Sequence, residues 1–149
     1  MSSRDIRPVD GQWQDNTHVF PIRVYYEDTD FTGVVYYANY LKFFERGRTE
    51  ALRSSGVSHT ELFQLDPPLG FVVRQISVDY MSPARVDDAL IVETHFEQIK
   101  GARMIISQTI RRSDEVLATA HVEAACIDME GRPRRLPQSI RDQFKSLNL

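Results

Sequence analysis

One stretch of this chain, from about Tyr37 to Ser55, carries apolar residues at helical spacing, and most of the chain beyond Gly70 alternates as strand. Tyr40, Phe43, Phe44, Gly47 and Ala51 fall on one face of that helix. Such a face must be buried, and the strands offer the extended surface to bury it against. One apolar helix on one curved antiparallel sheet is an α+β domain. Gly47 lowers helix stability, so it predicts a close approach of helix backbone to sheet. Arg46 and Glu50 are spaced to pair on the flank, and Gly56 is a C-terminal stop.

The remaining elements come in order. His18 to Glu27, rich in Val, Ile, Tyr and Phe, reads as the first strand. Ser58 to Leu65 reads as a short second helix, with Ser58 and Glu61 in a capping-box pattern and Asp66-Pro67-Pro68 ending it. Gly70 to Tyr80, Leu90 to Ile99, Arg103 to Arg111 and Val116 to Ile127 read as strands. Turns at Lys100-Gly101-Ala102 and Ser113-Asp114-Glu115 make the last three an antiparallel meander. Ser139 to Leu147 carries Ile140, Phe144 and Leu147 at helical spacing. That stripe predicts docking on the domain, with membrane-surface contact as the alternative. Residues 1–17 read as a loose tail that Trp13 could pin, and residues 18–149 as one domain. The sheet has no evident second layer on its outer face, so a second subunit is expected there.

The length of 149 residues suits a single domain with an ordinary core. Hydrophobic content of 42% and charged content of 26% are those of a globular protein. A net charge of −3 argues against a general nucleic-acid binder but leaves room for a local basic patch. The one cysteine, Cys126, sits in an apolar run and reads as a small buried hydrophobe rather than a catalytic thiol. No intrachain disulfide can form. Met1 to Asn16 is polar and lacks an apolar signal core, and no stretch is long enough to span a bilayer; the expected compartment is the cytoplasm.

Chemistry concentrates between Tyr25 and Tyr40. The segment turns at Gly33 and runs into the long helix, placing Asp30 just before a helix N-terminus. The first N–H groups of a helix lack intrahelical acceptors and can hold a developing oxyanion. A carboxylate beside them can attack a carbonyl or activate water. An Asp before a helix is often only a cap, but Gly33 intervenes and makes Asp30 too remote for one. Asp28 reads as a hydrogen-bonded structural carboxylate. No Ser, Thr, Asp or Asn occupies residues 35–37, so the helix start lacks a side-chain cap and suits an anion or carbonyl.

These residues carry a family resemblance. Asp28-Thr29-Asp30, Gly33-Val34-Val35-Tyr36 and Asn39-Tyr40 resemble the signature of the 4-hydroxybenzoyl-CoA thioesterase family. The match continues through Phe44-Glu45-Arg46-Gly47-Arg48-Thr49-Glu50, Phe71-Val72-Val73-Arg74, Asp79-Tyr80 and Pro83-Ala84-Arg85-Val86-Asp87-Asp88. The nearest subgroup by resemblance is the Tol–Pal-associated acyl-CoA thioesterases. The resemblance implies a hot-dog fold, with a sheet wrapped around the long helix, in homodimers or homotetramers. It implies hydrolysis of acyl-CoA to a free acid and CoA, without a metal or other cofactor.

The family's catalytic aspartate maps to Asp30, and its oxyanion N–H to Tyr37 or an immediate neighbour. Gly33 and Tyr36 fall in the same motif, as substrate-contacting positions. Basic residues near the Gly101 hairpin contact CoA phosphates in the family, which points to Lys100 and Arg103, with Arg74 as a further candidate. Two features depart from the subgroup. Phe31 and Thr32 stand where small residues are usual, and Tyr37 stands where many members have His.

Other sites have plainer readings. Glu45 can pair with Arg48 and is the reserve candidate for the base. Arg132, Arg134 and Arg135 read as a solvated basic loop. His18, His59, His95 and His121 are dispersed and form no metal-ligand spacing. The alternative to an enzyme is a non-catalytic module binding acyl-CoA or acyl carrier protein, or a scaffold for envelope or lipid-synthesis partners.

Overall fold

The structure is a computed structural model and describes residues 4–147. Its strands are β1 (Gln12–Gln14), β2 (Thr17–Arg23), β3 (Leu69–Tyr80), β4 (Ala89–Lys100), β5 (Arg103–Arg112) and β6 (Glu115–Asp128). Its helices are α1 (Tyr40–Ser54), α2 (His59–Phe63) and α3 (Gln138–Ser146). The strands form one antiparallel sheet in the order β1-β2-β4-β5-β6-β3. The expected β4-β5-β6 meander is present, and β3 returns to the outer side of β6.

Helix α1 lies on one face of this sheet. Tyr40, Phe43, Phe44, Gly47 and Ala51 are all buried, as their spacing requires. They meet Leu90, Val92 and Phe96 of β4, Met104, Ile106 and Ile110 of β5, and Val122 and Ala124 of β6 in one core. Each fully buried Phe adds about 1.5–3 kcal/mol to that core. Gly47 is the point of closest approach. A Cβ there would stand 2.5 Å from Val92 Cγ1 and 3.2 Å from both Gln108 Nε2 and Thr94 Oγ1. Gln108 fills the space so left, donating to the Phe44 carbonyl at 2.9 Å and to Thr94 Oγ1 at 3.0 Å.

The capping expectation at α2 holds in its main part: Ser58 Oγ accepts the Glu61 N–H at 3.1 Å. In α3, Ile140 and Phe144 are buried, and Phe144 packs on Phe96 at 5.0 Å between ring centroids. The stripe therefore docks on the domain.

Three expectations are corrected. The first strand does not run from His18 to Glu27. The sheet begins at Gln12, turns at Asp15, whose φ of 56° is left-handed, and returns as Thr17–Arg23. Part of the stretch read as a loose tail is thus built into the sheet, with Trp13 packed on His18 and Phe96. The flank pairs differ too. Glu50 bonds Arg53 rather than Arg46, and Arg48 reaches Gln108 at 3.0 Å while Glu45 accepts from Thr49 at 2.8 Å. Lastly, the basic loop is exposed as expected, but two of its three cations are paired as well as solvated. Arg134 bonds Asp128 at 2.9 Å, and Arg132 bonds Glu130.

Candidate active site

The segment from Tyr25 to Tyr40 is a loop held from several sides. After β2 ends, Tyr26–Asp28 makes a single 3₁₀ turn. Asp28 is buried, and its Oδ2 accepts the Tyr25 N–H at 2.8 Å. Its carbonyl accepts the Tyr36 N–H at 3.1 Å and the Asn39 side-chain amide at 2.8 Å. Asp28 is therefore the structural carboxylate expected of it, pinning both ends of the loop.

Asp30 opens the next, tighter turn. Its N–H donates to the Val34 carbonyl at 2.9 Å, and its carbonyl accepts the Gly33 N–H at 3.2 Å. Gly33 has a φ of 83°, the left-handed conformation that favours glycine, while a Cβ there would meet nothing within 4 Å. Gly33 is needed for the turn and not for space. The turn is then strapped to the 81–88 segment. Val35 N–H donates to the Ala84 carbonyl at 2.8 Å, and Val86 N–H to the Gly33 carbonyl at 3.1 Å. The Tyr40 hydroxyl accepts the Ala84 N–H at 2.9 Å.

The Asp30 carboxylate is partly exposed and takes two bonds from Thr32. The hydroxyl donates to Oδ1 at 2.5 Å and the N–H to the same oxygen at 2.8 Å. Those bonds, the hydroxyl's first, hold the Asp30 pKa below the ordinary carboxylate value. Asp30 is thus ionised well into the acid range. Sequence reasoning misses Thr32 as a member of the site. The Asp-x-Thr spacing is a side-chain-to-backbone turn pattern and is the signal that could have found it.

The helix start is uncapped, as expected. Tyr37–Asn39 forms a 3₁₀ turn that leads into α1, and neither Tyr36 nor Asn39 makes a side-chain cap bond. Asn39 turns its amide back to Asp28 instead. The N–H groups of Tyr37 and Ala38 stand at the first positions of this turn, where no intrahelical acceptor exists. Tyr36 and Tyr37 are exposed, their rings 4.9 Å apart. Phe31 is 100% exposed at the loop tip. Asp30, Gly33, Tyr36 and Tyr37 are therefore gathered in one loop and helix start.

The basic candidates lie elsewhere in the chain. A cavity of about 880 Å³ opens beside the β4–β5 hairpin and is lined by Val72, Arg74, Lys100, Arg103 and Ile105, among others. It brings Arg74, Lys100 and Arg103 together. Arg103 also pairs with Glu123 at 3.0 Å. None of Asp30, Gly33, Tyr36 or Tyr37 lines this cavity. Within one chain the carboxylate and the cations form two separate groups. Cys126 is buried and its thiol is pushed up to about 11 by that burial, so it is no nucleophile at neutral pH. Among the described residues no helix is long and apolar enough to cross a membrane.

Known proteins share this fold. The sequence profile of the Thioesterase-like superfamily matches residues 24–144. The acyl-CoA thioesterase YbgC of Haemophilus influenzae is 42% identical over 134 residues, which cover 89% of this chain and 98% of that protein. The acyl-CoA thioester hydrolase YbgC of Escherichia coli O6:H1 is likewise 42% identical, covering 87% of this chain and 98% of its own. A probable thioesterase from Bartonella henselae superposes with a TM-score of 0.79 at 46% identity, over 81% of this chain and 99% of that one. A 1,4-dihydroxy-2-naphthoyl-CoA thioesterase from Synechocystis superposes with a TM-score of 0.80 at 25% identity, over 89% of this chain and 98% of that one. Sheet, helix and sequence together place the chain in the thioesterase-like superfamily, with the hot-dog fold.

Proposed function

We propose that this chain hydrolyses acyl-CoA thioesters, with Asp30 as the reacting carboxylate and the helix start at Tyr37 as the oxyanion site. The observation that carries this reading is the loop from Asp28 to Asn39. It sets an ionised carboxylate and an uncapped helix N-terminus in one braced unit. The thioester carbonyl oxygen faces the N–H groups of Tyr37 and Ala38, which stabilise the charge that develops on it. Two routes use the same geometry. In one, an Asp30 oxygen attacks the carbonyl carbon, CoA leaves as thiolate, and water hydrolyses the mixed anhydride. In the other, Asp30 takes a proton from water as that water attacks. Both end in a carboxylic acid and CoA.

The separation of the carboxylate from Arg74, Lys100 and Arg103 is met by a second copy of the chain. β3 is the last strand of the sheet and leaves Val72 and Val73 exposed. Pairing of two such edges gives a dimer in which CoA spans the boundary. Its phosphates rest on the cations of one subunit and its thioester on Asp30 of the other. Dimers of this kind can pair again into tetramers.

A second reading draws on Thr32. Both of its bonds fall on Asp30 Oδ1, so one oxygen of the carboxylate is engaged before any substrate arrives. A module that binds acyl-CoA or acyl carrier protein without turnover fits that feature. Thiol release from a panel of short-chain, long-chain and aromatic acyl-CoAs separates the two. Release supports hydrolysis, and tight binding without release supports the module.

A further inference from the structure

Tyr80 is the last residue of β3, outside the loop that carries the candidate site. It pairs with Ala118 across β6, and so small a neighbour leaves room for a large side chain. Its ring stands edge-on to Tyr40 at 5.2 Å and to Tyr37 at 6.3 Å. Its hydroxyl donates to the Tyr37 carbonyl at 2.9 Å, a contact between residues 43 positions apart. That carbonyl belongs to the peptide whose N–H is that of Ala38, at the uncapped helix start.

We propose that Tyr80 is a positioning residue for the oxyanion site, its hydroxyl fixing the Tyr37–Ala38 peptide in the plane that presents the Ala38 N–H to the thioester oxygen, beside the N–H of Tyr37. This rests on the assignment of Asp30 as the reacting carboxylate and of the Tyr37 helix start as the oxyanion site. The effect has two parts. A bond to the carbonyl stops the peptide from rotating, so its Ala38 N–H needs no reorganisation as charge develops. It also polarises the peptide and strengthens its N–H as a donor. Asp28 holds the other side of the same turn through the Tyr36 N–H and the Asn39 amide. The helix start is thus gripped from the loop by Asp28 and from the sheet by Tyr80. Burial first, and the neighbouring Tyr40 and Tyr37 phenols after it, raise the Tyr80 pKa above the ordinary phenol value. The hydroxyl therefore stays a donor through neutral and mildly alkaline pH.

Tyr80→Phe removes the hydroxyl and keeps the ring, and Tyr80→Leu removes both. The two are compared with wild type on an acyl-CoA that wild type hydrolyses, with Asp30→Asn alongside. Tyr80→Phe is expected to lose about tenfold in kcat, less than the ~100-fold that loss of a direct oxyanion donor costs. Its KM stays within about twofold, and the acid limb of its pH profile does not move, because Asp30 is untouched. Tyr80→Leu shows the same kcat loss together with a lower melting temperature. The ¹³C resonance of the Tyr37 carbonyl shifts in Tyr80→Phe as its hydrogen bond is lost. A Tyr80→Phe kcat within about twofold of wild type overturns the inference, as does a loss confined to KM or an unmoved Tyr37 resonance. An inactive Asp30→Asn beside an unimpaired Tyr80→Phe overturns this inference alone. Wild-type turnover by Asp30→Asn overturns the reading beneath it.

Discussion

Thr32 gives both its hydroxyl and its backbone N–H to the same oxygen of Asp30, at 2.5 and 2.8 Å. The bonds favour the charged carboxylate and lower its pKa. Both fall on Oδ1, so the reacting role proposed for Asp30 would belong to Oδ2. Removing the hydroxyl takes away the larger of the two effects, so the Asp30 pKa rises toward the ordinary carboxylate value. Thr32→Val should therefore move the acid limb of the kcat/KM profile to higher pH, and Thr32→Ser should return it. An acid limb that stays in place in Thr32→Val would show that Asp30 is not the group titrating in that limb.

The two carboxylates of the loop predict different failures. Asp28 is buried and holds the Tyr25 N–H, whereas Asp30 bonds only within its own turn. Asp28→Ala leaves a donor unpaired and should lower stability by about 1–3 kcal/mol while also reducing kcat. Asp30→Ala should abolish turnover with little change in unfolding midpoint. Denaturant melts of the two variants check this, and equal destabilisation would contradict the division of roles.

Gly47 predicts a stability effect opposite to its helix propensity. Alanine is favoured over glycine in a helix by about 1 kcal/mol. Here the new methyl would meet Val92 Cγ1 at 2.5 Å in a fully packed interior. Overpacking of this kind costs about 1–3 kcal/mol, so Gly47→Ala should be net destabilising. A Gly47→Ala protein that melts above wild type would mean that helix and sheet are not in such close contact.

The cations of the β4–β5 cavity should act on binding and not on chemistry. Lys100→Ala and Arg74→Ala are expected to raise KM for acyl-CoA by about tenfold with kcat unchanged, and the more so at low salt. The same variants should match wild type on an acyl-pantetheine, which lacks the nucleotide phosphates. Equal losses on both substrates would remove these residues from phosphate binding.

Much of this fold could be read from the chain because its signals are local. The α1 stripe is legible since each of its residues meets the sheet at helical spacing, and the Ser58–Glu61 pattern is a contact within one turn. β1 is not legible. It has three residues, of which only Trp13 faces inward, too few to show a period. The end of β2 is hidden because the strand pattern continues into Tyr25 and Tyr26, where Asp28 instead draws the chain into a turn. Spacing allows Arg46 to meet Glu50 and Glu45 to meet Arg48. The choice made by Arg48 depends on Gln108, which lies 60 positions away in sequence. In the site, the motif locates Asp30 and the helix start. It does not show that Arg74, Lys100 and Arg103 gather in a cavity apart from that loop, because that comes from the order of strands across the sheet.

The most direct test of the central claim is CoA thiol release from one acyl-CoA panel by wild type and Asp30→Asn, measured side by side on proteins of equal melting temperature. Wild type is expected to hydrolyse at least one member, and Asp30→Asn to lose that hydrolysis. Wild-type turnover by Asp30→Asn, or no release by either protein, would contradict that claim.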